Sequence, residues 1–189
     1  ITVQGARLGD ATVAANALLL NGLLLTAHAL DGLAHAVEAL CGHAIGARDR
    51  EALRRSLVVA CGWSLLASLG FAVLFLFAGH LFIEMQTDIQ SVRDTAFIYL
   101  PYLAALPLIA VGSYLLDGLF IGATRAREMR NGMLLTVVLL LPFAWALQGF
   151  GNHGLWITFL LFMLMRSLTL GAFAWDLHKN DGWFAGKAH

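Results

Sequence analysis

His28, Asp31, His35 and Glu38 recur at intervals of three, four and three residues inside an otherwise apolar stretch. On a helix that spacing puts all four side chains on one face, and Asn21, seven residues before His28, extends the row. Two further ionisable groups stand alone in apolar surroundings: Asp117 in SYLLDGLFIG and Arg166 in LLFMLMRSLTL. A charge at mid-bilayer costs about 2.5–3.5 kcal/mol on insertion scales, so such a group must face a partner, a cavity or water. A polar row on one side of a membrane helix reads as the wall of an aqueous cavity, where carboxylates and imidazoles can exchange protons or meet a cation. The blander reading leaves Glu38 at a helix end and His28 and His35 bonded to neighbouring helices. Asp117, five residues from the end of its segment, is shallow enough to see both a cavity and bulk water. Arg166 is central in its segment and too deep to snorkel easily. It needs an acid, and Asp31, Glu38 and Asp117 are all eligible.

Metal or haem chemistry is a poor fit. Two histidines seven apart on a helix lie about 10 Å apart along the axis and cannot share one ion. His28 with Asp31, or His35 with Glu38, supplies only two ligands. Neither a CxxC nor a mixed Cys/His zinc spacing surrounds Cys41 or Cys61, and no nucleophile–base–orienter set is visible. No cofactor is expected.

The elements that must position these groups are membrane helices. Of 189 residues, 59% are hydrophobic and 13% charged, and the mean hydropathy is +0.75. Soluble domains carry roughly twice that share of charge. A hydrocarbon core about 30 Å thick needs roughly 20 helical residues. Five segments meet that length: 11–40, 56–79, 96–121, 131–150 and 154–175. Runs such as LLLNGLLL lack the period-two alternation of barrel strands. Pro101, Pro107 and Pro142 are expected to kink these helices without ending them. Asp88 is expected to cap the helix beginning near Ile89, and Gly151-Asn152-His153 to form the turn between the last two segments. Trp145, Trp156 and Trp175, near segment ends, are expected at the membrane interface. Gly42 and Gly46, and likewise Gly118 and Gly122, are four apart and would allow close helix contacts.

Net charge is zero, which argues against a nucleic-acid partner. The basic residues are nonetheless unevenly placed. Nine of them (Arg48, Arg50, Arg54, Arg55, Arg125, Arg127, Arg130, Lys179 and Lys187) fall on one side of a five-span arrangement, and Arg7 and Arg93 on the other. The positive-inside rule then puts the C-terminus in the cytoplasm and Ile1 outside. An outside start without an export signal, and without Met, implies that at least one helix precedes Ile1 in a longer polypeptide.

The string LGDATVAANALLLNGLLLTAHALDGLAHAVEALCGHAIGARD, with its Leu8-Gly9 start, Ala14-Ala15-Asn16 and the Gly42, Gly46, Ala47, Asp49 exit, resembles a repeated helix of the multidrug and toxic compound extrusion (MATE) family. YLLDGLFIGATRAREMRN and the ending HKNDGWF are similar to the DinF-like branch of DNA-damage-inducible transporters. The resemblance covers nearly the whole chain. It implies an all-α integral membrane protein whose five segments are helices eight to twelve of a twelve-helix, two-lobe transporter, hence most of its C-terminal lobe. It also implies an inner-membrane exporter of small amphiphilic or cationic compounds, working by antiport, with H+ favoured over Na+, together with an N-terminal lobe of the same polypeptide. In several relatives the coupling carboxylates lie in that lobe. Others use an acid in helix seven and an aspartate in helix ten, the segment that holds Asp117. His43 stands where a Gln is common, and His28 and His35 stand at cavity-facing positions often filled by aromatics. The rival expectations are a flippase-like exporter of lipid-linked oligosaccharides and a membrane-embedded metal or redox subunit using the histidines.

Overall fold

The computed structural model describes residues 9–180 and 182–184, so Arg7, Leu8, Asp181 and Lys187 lie outside the described residues. Among the described residues there are five α-helices: α1 (Asp10–Gly46), α2 (Arg50–Glu84), α3 (Gln90–Gly122), α4 (Ala126–Ala146) and α5 (Gly151–Lys179), with a 3-10 turn at Leu147–Phe150. Among the described residues, four helical stretches are long and apolar enough to cross a membrane: Asp10–Gly46, Arg50–Glu84, Gln90–Gly122 and Ala126–Lys179. The expected fourth and fifth segments thus lie in one helical stretch, because no polar loop separates them. Their reversal comes three to four residues earlier than the sequence suggests. Leu147–Phe150 and Gly151, with φ 59°, make the bend, while Asn152 and His153 already belong to the first turn of α5.

Helices α1, α3 and α5 run parallel, with α2 and α4 antiparallel to them. Gly22 abuts Leu103 and Gly118 abuts Ala34, which fixes α1 against α3. Gly112 beside Ser167 and Gly171 beside Leu116 fix α3 against α5, and Gly132 beside Leu170 fixes α4 against α5. Three apolar clusters fill the interior. One holds Leu19, Phe75, Leu100 and Trp156 at the N-terminal end of α1, and another holds Val37, Leu53, Phe120 and Trp183 at the opposite end. Leu106, Ala110 and Met163 lie between. Pro101, Pro107 and Pro142 all remain inside continuous helices. Large apolar side chains such as Leu66, Phe77, Val138 and Leu141 point outward, the arrangement of a protein solvated by lipid.

The polar ends explain the connections. The turns after α1 and α3 have the same form. Ala47, Arg48 and Asp49 donate to His43, Ile45 and Ala44, as Ala123, Thr124 and Arg125 do to Leu119, Ile121 and Phe120. Arg48 and Thr124 both adopt φ 55°. Asp49 then caps α2 by accepting from Ala52 N at 2.9 Å. Asp88 is not a cap. Helix α3 starts at Gln90 with no side-chain cap, and Asp88 instead accepts from Arg93 at 3.1 Å. That arginine also donates to the carbonyls of Thr87 (2.6 Å) and Glu84 (3.0 Å), which stitches the loop after α2.

Trp156 departs from its expected interfacial place. It is fully buried, whereas Trp145 and Trp175 are exposed. Its indole Nε1 donates to Asn16 Oδ1 at 3.0 Å, and the amides of Asn16 and Asn152 bond each other reciprocally at 2.7 and 3.0 Å. This network ties α1 to the start of α5 with donors and acceptors matched. Asn16→Leu should therefore lower stability by about 1–3 kcal/mol, because it strands the Asn152 amide and the Trp156 N–H. Thermal unfolding in detergent checks this. An unchanged Tm would mean that the network is energetically idle.

Candidate functional site

Asp117 and Arg166 meet. Arg166 Nη2 donates to Asp117 Oδ2, and the two side chains are 15% and 13% exposed. Of the three eligible acids, the fold selects this one through register. Tyr102 stacks beside Trp156, Gly112 faces Ser167 and Leu116 faces Gly171, so Arg166 projects from α5 about six residues, roughly 9 Å, short of the level of Asp117. A long, planar guanidinium spans that offset, which a shorter cation would not. The contact uses one oxygen and one terminal nitrogen. Asp117 Oδ1 and Arg166 Nε are buried without a hydrogen-bond partner among the described residues.

The glycines beside Asp117 bring α1 up to it. Gly118 packs on the backbone of Ala34 and Gly122 on that of Glu38, with Gly42 facing Gly122 across the same seam. Gly46 faces open space, so of the two expected glycine pairs the one on α3 forms the contact. The close approach brings Asp31 within electrostatic range of Asp117, and Tyr114 within range of Asp31, Asp117 and Arg166. Tyr114 was not singled out from the sequence. Its place one turn before Asp117 on the same face of α3 is the signal that would have found it.

The row on α1 is outward-facing. Asp31 is 59% and His35 70% exposed, and no described helix covers them. The His35 ring lies between two carboxylates, with Nδ1 at 3.2 Å from Glu38 Oε2 and Nε2 at 3.9 Å from Asp31 Oδ2. His28 Nδ1 contacts the carbonyl of Leu24 at 2.7 Å, within its own helix. Asn21 is apart from the others, donating to Gln86 Oε1 at 2.8 Å and so tying α1 to the loop after α2. The opposite face of α1, from Ala15 and Leu19 through Thr26 and Leu30 to Val37 and Cys41, is buried against α2 and α3. The helix thus has one side committed to packing and one polar side without cover.

The MatE family profile matches residues 1–146. The chain belongs to the MatE family. It is also 44% identical, over 186 residues, to the "DNA damage-inducible protein F" of Escherichia coli (strain K12), an alignment covering 98% of this chain and 40% of that relative. It therefore falls in the DinF-like branch and spans less than half the length of the relative it matches. With its membrane-length helices, the chain is an all-α, multi-pass membrane protein and part of a larger MatE-type fold, a family whose members are not enzymes. Among the described residues, no group of three or more His, Cys, Asp and Glu side chains is placed to hold a metal ion.

Proposed function

We propose that this chain is the larger part of the C-terminal lobe of a bacterial inner-membrane exporter of small amphiphilic or cationic compounds. Transport runs by alternating access, driven by cation antiport, with H+ as the coupling ion. Helices α4 and α5 count as separate crossings, five in all. Asn131 to Phe150 and Gly154 to Trp175 each carry enough apolar length, and Thr136 packs against Thr169 across an antiparallel pair at 2.7 Å. The arginines gathered at the turns after α1 and α3 support a cytoplasmic location for that end and for the C-terminus.

The observation that carries the reading is the pairing of an exposed acidic face on α1 with a buried ion pair just behind it. Asp31, His35, Glu38 and His28 would line the cavity towards the N-terminal lobe of the longer polypeptide. Asp31 stands one turn before Ala34, the residue on which Gly118 packs beside Asp117, so a cation held at Asp31 lies near the buried pair. A single-contact ion pair opens at lower cost than a two-pronged one. Proton binding at Asp117 would therefore release Arg166, and its re-ionisation would restore the pair. The two states differ in how α3 and α5 are held, which is what an alternating mechanism requires.

Asp31→Asn in the intact longer protein tests this. The residue is exposed, so membrane abundance should be unchanged, while proton-driven efflux of a lipophilic cationic dye should fall by about tenfold or more. Collapsing the proton gradient should stop efflux in the unmodified protein, and collapsing a sodium gradient should not. Normal pumping by Asp31→Asn would reassign Asp31 to structure. Transport of lipid-linked sugars in place of the dye would favour a flippase.

A further inference from the structure

A tyrosine stands in the gap that the Arg166 side chain has to cross. Gly112 faces Ser167 and Leu116 faces Gly171, so the guanidinium climbs from about the level of Val111 on α3 to that of Asp117. Tyr114 lies within that climb, one turn before Asp117 and on the same side of α3. Its side chain packs with Leu106, Ala110 and Met163, and Met163 lies one turn before Arg166 on α5. Tyr114 is thus seated on both of the helices that the ion pair joins. The charged groups within its electrostatic reach are Arg166 on α5, Asp117 on α3 and Asp31 on α1.

Both sides of this arrangement have bonding capacity to spare. The Tyr114 hydroxyl makes no hydrogen bond among the described residues, and a phenol oxygen can accept one. Arg166 commits Nη2 to Asp117, while its Nε is buried without a partner among the described residues. A charge inside a membrane needs a partner at every stage. When the Asp117 contact opens, the guanidinium needs another acceptor within reach of α5. Tyr114 offers its oxygen and also the face of its ring, which attracts a guanidinium.

We propose that Tyr114 is the second partner of Arg166, a positioning residue that receives the guanidinium when it leaves Asp117. Its part in the transport cycle rests on the exporter reading above, whereas the contact itself rests only on the packing of α3 against α5. Held there, Arg166 stays within one turn of Asp117, and the pair re-forms when the carboxylate re-ionises. Arg166 is also kept from swinging to Asp31, which leaves the exposed acid on α1 free for an arriving cation.

The test compares thermal unfolding of the intact longer protein in two backgrounds, the parent and Asp117→Asn. The asparagine puts a neutral group opposite Arg166, as protonation of Asp117 would. Tyr114→Phe keeps the ring and removes the hydroxyl. It should move Tm by less than about 1 °C in the parent and lower it by about 3 °C in Asp117→Asn, the size of a hydrogen bond to a charged group. Tyr99→Phe, far from Asp117 on the same helix, should give the same shift in both backgrounds. In transport, Tyr114→Phe should lower the maximal dye efflux rate about tenfold with KM unchanged, a split that loosened packing would not produce. Equal Tm losses for Tyr114→Phe in the two backgrounds would overturn the proposal and leave Tyr114 as ordinary packing, as would normal efflux by Tyr114→Phe. If Asp117→Asn does not accumulate, the efflux split decides. If the parent protein exports no dye, the exporter reading fails, and the two-background comparison still decides whether Tyr114 receives Arg166.

Discussion

Gly118→Leu is expected to abolish accumulation of folded protein, and Gly32→Ala, on the same helix pair, to leave it intact. A β-carbon on Gly118 would overlap the carbonyl oxygen of Ala34, lie 3.0 Å from that residue's carbonyl carbon and 3.1 Å from Val37 Cβ. Gly122 is similarly blocked by the carbonyl of Glu38, with its Cα and C both at 3.1 Å. These obstacles are backbone, which cannot swing aside as the end of a side chain does. The helices must separate, and dispersion contacts weaken steeply with even a fraction of an ångström of gap. The seam lost is the one that buries Val37, Cys41, Leu119 and Phe120. In membranes, packing of this kind supplies much of what holds helices together. A cost of about 3 kcal/mol or more follows, at the upper end for overpacked sites. Gly32 is exposed, with nothing within 4 Å of an added β-carbon. Alanine there gains up to about 1 kcal/mol of helix propensity. Size-exclusion chromatography of a fluorescent fusion, with thermal unfolding, measures both variants. A Gly118→Leu protein with the parent's elution and Tm would show that α1 and α3 are not held at this crossing.

What the sequence made legible is what rests on length and local spacing. The helices follow from uncharged runs that exceed the bilayer thickness, and the outward row on α1 follows from the three-and-four spacing of His28, Asp31, His35 and Glu38. The partner of Arg166 was beyond reach because it depends on register between helices 49 residues apart in sequence. Trp156 was misplaced for a related reason. Its position near a segment end suggests the interface, but the deciding fact is Asn16 on a distant helix, which satisfies its N–H inside the protein. Asn16 itself was the signal, a buried amide near the N-terminal end of an apolar helix that needs polar company. The turn at Leu147–Phe150 was obscured because its residues, LQGF, carry no charge, and hydropathy alone cannot tell a membrane helix from an uncharged bend. Asp88 shows a limit of local rules, since a capping residue type was taken over by a tertiary contact with Arg93.

Arg166→Leu should destabilise the protein by about 3–5 kcal/mol, because it leaves the Asp117 carboxylate buried without its counter-ion. Asp117→Leu on its own strands the guanidinium and should cost a similar amount. The double variant Asp117→Leu/Arg166→Leu removes both charges, and buried pairs replaced by apolar groups are often neutral or stabilising. It should therefore recover most of the lost Tm. That non-additivity distinguishes a real pair from two residues that merely share a region. The same three proteins also separate architecture from transport. If the pair only fastens α3 to α5, the double variant recovers dye efflux along with abundance. If Asp117 carries the coupling proton, the double variant accumulates normally and still does not pump, because no titratable carboxylate remains beside the acidic face of α1. Arg166→Lys sharpens the distinction. It keeps the charge but loses the planar reach that spans the offset between the helices, so stability should fall less than in Arg166→Leu while efflux stays low. Full efflux in Arg166→Lys would mean that charge alone suffices at this position and that the geometry of the contact has no part in the cycle.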